Sequence, residues 1–65
     1  MDIENEVKII DDFVTKGNFH AAMNIAISAL NDCRREDNQT GVDIFIEVIN
    51  KIAQSISDKF GNHRK

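Results

Sequence analysis

Three glycines in a chain that has no proline limit the possible folds more than any other feature. Each glycine falls near a polar cluster, where a helix can begin or end, and glycine adopts the left-handed stop conformation at little cost. The stretches between them carry apolar residues at helical spacing. The sequence therefore predicts an all-α, three-helix hairpin bundle. Its helices are expected over about 3–16, 19–36 and 41–60, with Gly17, Gly41 and Gly61 at or next to their ends.

Capping residues support these boundaries. Asp2 and Asn18 each stand just before a periodic stretch, and their short polar side chains suit the N-cap position. After the polar turn "DNQT", Thr40 is expected to cap the third helix, with Asp43 at capping-box spacing. Residues 1–61 are predicted to form one helical domain, and residues 62–65 a disordered tail.

The stretch "GVDIFIEVIN", residues 41–50, fits two secondary structures. Its first half has apolar residues at every second position, Val42, Ile44, Ile46 and Val48, with Asp43 and Glu47 between them, in the manner of a half-buried strand. The helical alternative continues to the end of the segment and gives one apolar face over about five turns, whereas no other segment supplies a partner strand. Helix is therefore predicted. Its packed face comprises Val42, Phe45, Ile49, Ile52, Ala53, Ile56 and Phe60.

The first two helices are also amphipathic. The first has a stripe of Ile3, Val7, Ile10 and Val14, widened by Ile9 and Phe13. The second has a broader apolar arc, of about 200°, which predicts that it contacts two neighbours and lies in the middle of the bundle. This arc comprises Phe19, Ala22, Met23, Ile25, Ala26, Ile27, Ala29, Leu30 and Cys33.

The third helix carries more apolar residues than one packing face needs. Ile44 and Val48 lie outside that face, and Ile46 lies at its edge. Such a surplus indicates a second contact surface, and the candidate interface residues are Ile44, Phe45, Ile46 and Val48. A homodimer or a different protein partner can cover them equally well. The alternative is that they pack within the chain, against helix 1 or the start of helix 2.

Self-association is expected for a chain of 65 residues. Such a chain buries only about 60% of its unfolded surface. Small domains add disulfides, metals or a second copy. The single cysteine, Cys33, cannot form an intrachain disulfide, and no Cys/His cluster has metal spacing. A homodimer without cofactor or metal is therefore predicted.

Charge and hydropathy narrow the class of protein. The net charge is −3 and the basic residues are scattered, which disfavours nucleic-acid binding because that requires a clustered basic surface. No apolar run approaches the roughly 20 residues of a membrane span. The N-terminus is acidic and lacks the regions of a signal peptide. A cytoplasmic protein with a reduced thiol is expected.

No motif for catalysis is present. His20 and His63 have no companion ligand or base, and Cys33 falls in the apolar arc of helix 2. Adjacent Asp11 and Asp12 diverge by about 100° on a helix and cannot act as an acid/base pair. An enzyme is therefore not expected. Arg34 and Arg35 suit the end of helix 2 and are possible contacts for an acidic partner.

The segment "KGNFHAAMNIAISAL" resembles the middle of a tetratricopeptide helix pair. That pattern has a glycine, a polar residue and an aromatic at the turn, followed by small residues on the second helix. Here Phe13 occupies the aromatic position of the first helix. The turn and second-helix positions are Gly17, Asn18, Phe19, Ala22, Ala26, Ala29 and Leu30.

The chain is also similar to small bacterial regulators of the AraC-negative-regulator and PerC types. The matching positions are Lys16, Gly17, Phe19 and Ala22, and Asn38-Gln39 fits a turn of the former group. This resemblance implies a protein that binds a transcription regulator without reading DNA itself. The predicted function is a small protein-interaction module that modulates another protein. A secretion-type cochaperone and a DNA-binding transcriptional regulator are the alternatives.

Overall fold

A computed structural model describes residues 2–59 and contains three helices in that range. They are α1, Ile3–Thr15; α2, Phe19–Arg35; and α3, Gln39–Lys59. The predicted all-α three-helix bundle is thus confirmed, and the strand alternative for residues 41–50 is excluded. Phe60, the stop at Gly61 and the tail over 62–65 lie outside the described residues.

The turn between α1 and α2 forms as its sequence predicts. The N-cap in this turn is of the same kind as the N-cap of α1, where the Asp2 side chain accepts a hydrogen bond from the amide of Asn5. Gly17 has a φ of 81°, and its N–H donates to the carbonyl of Val14 at 3.0 Å. Asn18 donates to the carbonyl of Phe13 at 2.8 Å, which completes a Schellman motif. The side chain of Asn18 then caps α2.

The turn between α2 and α3 repeats this hydrogen-bond pattern without a glycine. Asp37 occupies the left-handed position with a φ of 59°, and its N–H donates to the carbonyl of Arg34. Asn38 donates to the carbonyl of Cys33 at 2.8 Å, and its side chain accepts from the Gly41 amide at 3.1 Å. Aspartate tolerates this backbone region better than most residues do.

The predicted start of α3 is wrong by two residues. Asn38, not Thr40, provides the cap, because Asn38 directly follows the left-handed residue that ends α2. Asp43 does not complete a capping box; it accepts a hydrogen bond from the Gln39 side chain at 2.9 Å. Gly41 therefore lies inside α3 and is buried there.

This difference between the turns gives a stability prediction. Replacing Asp37 with glycine is expected to raise the free energy of unfolding by about 0.5 to 1 kcal/mol, since a left-handed backbone is costly for residues with a Cβ. The reverse change, Gly17→Asp, is the matched control and is expected to lower it by a similar amount. Urea unfolding followed by circular dichroism measures both, and a loss of stability in Asp37→Gly contradicts the argument.

Helix α2 lies in the middle, as its broad apolar arc predicts. It packs against both α1 and α3, whereas α1 and α3 contact each other sparsely. Alanines on α2 allow the neighbouring helices to approach closely. The buried core comprises Ile10, Ala22, Ala26, Ala29, Cys33, Val42, Phe45 and Ile52.

The bundle is elongated rather than spherical. Its radius of gyration is 12.4 Å, compared with about 10 to 11 Å for a compact domain of this length. Its principal extents are 39, 24 and 14 Å. A shape this thin leaves more of each helix uncovered than a compact shape does.

Candidate interaction surface

One flank of α3 faces α1. A Cβ added to Gly41 would lie 3.1 Å from Cδ1 of Ile3, so this side of α3 is in close contact with the start of α1. Ile44 and Val48 follow Gly41 by three and seven residues and therefore share its side. Val48 packs against the core, and Ile44 is half-buried. These two residues thus lie on the intrachain side of α3.

These contacts reduce the number of predicted interface residues that have surface available to a partner. Phe45 is fully buried and has no accessible surface for a partner, and Val48 contributes to the chain's own packing. Ile46 has the largest exposed fraction of the four predicted residues, with 42% of its surface exposed. Ala53, expected on the packed face, is exposed as well, on the same side of α3 as Ile46.

A second isoleucine with a large exposed fraction lies on α2. Ile27 is 43% exposed. Ile25 and Ser28 line a hollow together with Glu6 of α1, which identifies the side of α2 that faces α1. Ile27 is about 200° from Ile25 around the helix, so it points away from α1.

Ile27 and Ile46 lie at nearly the same level of the hairpin. A Cβ on Gly41 would meet Sγ of Cys33, which fixes the register of the antiparallel pair α2 and α3. Ile27 lies six residues before Cys33, and Glu47 lies six residues after Gly41, so these two residues are at the same height along the helix axes. Ile46 is one residue, or about 1.5 Å, from that height. We call the surface around them the outer hairpin face. It comprises Met23, Ile27, Leu30, Ile46, Ile49 and Ala53.

Opposite charges border this face near the turn between α2 and α3. Arg34 follows Ile27 by seven residues, shares its side of α2 and is exposed. It makes no ion pair within residues 2–59. It lines a shallow hollow with Gln39, and Gln39 in turn holds the carboxylate of Asp43.

The two arginines that the sequence grouped together therefore separate in the fold. Arg35 forms an ion pair with Asp32 on another side of α2, and that side faces α1 because Asp32 lines the hollow that contains Glu6. Arg34 alone borders the outer hairpin face. Consecutive residues on a helix point about 100° apart, so the divergence follows from the helix itself.

The remaining candidates do not converge on a chemical site. Cys33 is fully buried, His20 is exposed, and His63 lies beyond the described range. Within residues 2–59, no group of His, Cys, Asp or Glu is arranged to hold a metal ion. Over the same range, no helix is long and apolar enough to cross a membrane.

Ile27 was expected to pack, because it belongs to the broad arc of α2. The useful signal was the width of that arc. A helix with two neighbours covers the centre of an arc of about 200° but leaves its edge open, and Ile27 is at that edge.

No protein-family model matches this chain, and neither the curated proteins nor the solved structures include a match to it. The resemblances to tetratricopeptide pairs and to small bacterial regulators therefore stay predictions.

Proposed function

We propose that this chain is a non-enzymatic helical module that binds another protein through the outer hairpin face and thereby regulates it. The observation that carries the proposal is the pair Ile27 and Ile46, each more than two-fifths exposed and within about 1.5 Å of the same level on neighbouring helices. Half-buried Met23, Leu30 and Ile49 continue the apolar surface between them.

The surface suits an amphipathic helix as its partner. Two antiparallel helices have a shallow groove along their seam, and an apolar helix stripe can lie in such a groove. Covering exposed aliphatic side chains contributes about 25 cal/mol for each Å² removed from water. Charged residues at the border, here Arg34 and Asp43, favour one orientation of the partner over others.

The regulator class is the finer part of the proposal. It rests on the resemblance of Lys16, Gly17, Phe19 and Ala22 to bacterial regulators that act on transcription factors. In that role the module changes a partner's activity by occupying its surface. An acidic group at the border of the face, Asp43, does not favour direct contact with a phosphate backbone.

Affinity capture from an extract of the source organism tests this proposal. Ile27→Glu and Ile46→Glu are each expected to reduce the captured partner by at least about tenfold, because a charge at the centre of an apolar contact is left desolvated. Ile9→Glu is the matched control, since Ile9 is 38% exposed but lies on α1.

Circular dichroism is recorded for all three variants, because only folded variants bear on the proposal. Equal capture by wild type and both hairpin variants contradicts the assignment of the face. Equal loss in all three variants, with helicity retained, contradicts its localisation to α2 and α3.

A further inference from the structure

We propose that a second copy of this chain occupies the outer hairpin face when no other partner is bound, forming a symmetric dimer in which Arg34 of each copy pairs with Asp43 of the other. This inference rests on the proposed function, because it assigns an occupant to the same face. Three observations carry it: the size of the face, the level of its two isoleucines, and the placement of its border charges.

The size of the face suits a weak, reversible dimer. Two helices, each about 10 Å wide and about 25 Å long over their shared length, present on the order of 500 Å². Two copies then bury about 1,000 Å², which is at the lower limit for a specific interface.

The register of the hairpin makes the face self-complementary. A two-fold axis parallel to the helices places α2 of one copy over α3 of the other and keeps residues at the same level. Ile27 of one copy then lies over Ile46 of the second copy, and the reverse contact forms by symmetry. Both apolar centres are covered at once.

The same axis brings opposite charges together. Arg34 follows Cys33 by one residue, so it is level with residue 40 of α3 and about 4.5 Å along the axis from Asp43. This offset is within the reach of an arginine side chain. A two-fold axis perpendicular to the helices instead places Arg34 near His20 of the second copy, where no opposite charge attracts it. The parallel axis is therefore favoured.

The available groups fit this pairing. Arg34 has no ion-pair partner within the described chain, and Asp43 is held only by the neutral side chain of Gln39. Arg35 is already paired with Asp32 and faces away. The dimer and a complex with another protein use one face, so they exclude each other.

Sedimentation velocity of the full chain, from about 1 to 200 µM, tests the dimer. Wild type is expected to change from one to two chain masses over this range. Ile27→Glu is expected to raise the dissociation constant at least about tenfold. Arg34→Glu and Asp43→Arg are each expected to raise it about three- to tenfold, and the double variant to return it to within about threefold of wild type. Ile9→Glu and Arg35→Glu serve as controls and are expected to leave it unchanged.

The outcomes separate this inference from the proposed function. A wild-type chain that stays monomeric to 200 µM overturns the dimer, while Ile27-dependent capture of another protein still upholds the proposed function. A dimer that resists Ile27→Glu overturns the placement on the outer hairpin face. If the double variant, Arg34→Glu with Asp43→Arg, dimerises as weakly as the single variants, the Arg34–Asp43 pairing is overturned. The charge exchange and its controls change four positions, and all four are exposed: Ile9, Arg34, Arg35 and Asp43. These variants therefore test association even where Ile27→Glu lowers stability.

Discussion

Replacing Phe45 with alanine is expected to lower the free energy of unfolding by about 3 to 5 kcal/mol. Phe45 is fully buried and heads the fully buried side chains by volume. Its removal leaves a cavity in the buried core, whose other members include Ala22, Ala26 and Ala29 of α2, and these short side chains cannot extend to fill it. A domain of this size has only a few kcal/mol of stability. Most molecules of the Phe45→Ala variant are therefore expected to be unfolded at 25 °C. Thermal and urea unfolding followed by circular dichroism measure the effect.

The adjacent residue provides the control. Ile46→Ala changes an exposed side chain, so its expected effect is within about 0.5 to 1 kcal/mol. The two neighbours thus separate core from surface: Phe45 is fully buried, whereas 42% of the surface of Ile46 is exposed. If Ile46→Ala destabilises the chain as much as Phe45→Ala, the orientation of α3 described above is wrong.

The second large effect is expected at Gly41. A Cβ at this position would lie 2.5 Å from Sγ of Cys33 and 3.1 Å from Cδ1 of Ile3. Cys33 is fully buried and its short side chain has little room to move. Gly41→Ala is therefore expected to lower the free energy of unfolding by about 1 to 3 kcal/mol through overpacking. This loss exceeds the gain of up to about 1 kcal/mol that alanine normally brings to a helix interior.

A double-mutant cycle identifies the cause of that loss. In a Cys33→Ala background the sulfur is absent and the 3.1 Å approaches to Cδ1 of Ile3 and Nδ2 of Asn38 remain. The loss caused by Gly41→Ala is therefore expected to be smaller by at least about 1 kcal/mol. The coupling free energy between the two positions is then at least about 1 kcal/mol. Additive effects of the two changes contradict the proposed contact. Urea unfolding of the four proteins gives the required values.

Apolar periodicity was sufficient to predict the helices and the central place of α2. It was also sufficient for the caps at Asp2 and Asn18, because each stands directly before a periodic stretch. It failed at the start of α3, where Asn38, Gln39 and Thr40 are all polar and adjacent. Only the hydrogen bonds of the Asp37 turn determine which of these residues precedes the helix.

The exposed apolar surface was harder to predict for a geometric reason. A helical wheel shows two flanks of α3, one with Ile44 and Val48 and the other with Ile46, but it does not show which flank α1 covers. The close approach at Gly41 decides this, and it depends on contacts between residues far apart in sequence. Ile27 was missed because its exposure depends on the same arrangement. Of the two exposed isoleucines of the outer hairpin face, the sequence indicated Ile46 but not Ile27; a role for either in an interface stays a prediction.

The two matching turns also bear on how the chain reaches its native state. Both are short, and most tertiary contacts join helices that are adjacent in sequence. Helical proteins with such local contacts fold in microseconds to milliseconds. At micromolar concentration, specific docking of two chains at about 10⁵ to 10⁷ M⁻¹s⁻¹ takes on the order of 0.1 to 10 s. Newly released chains are therefore expected to finish folding long before they dock, so that specific association occurs between native molecules.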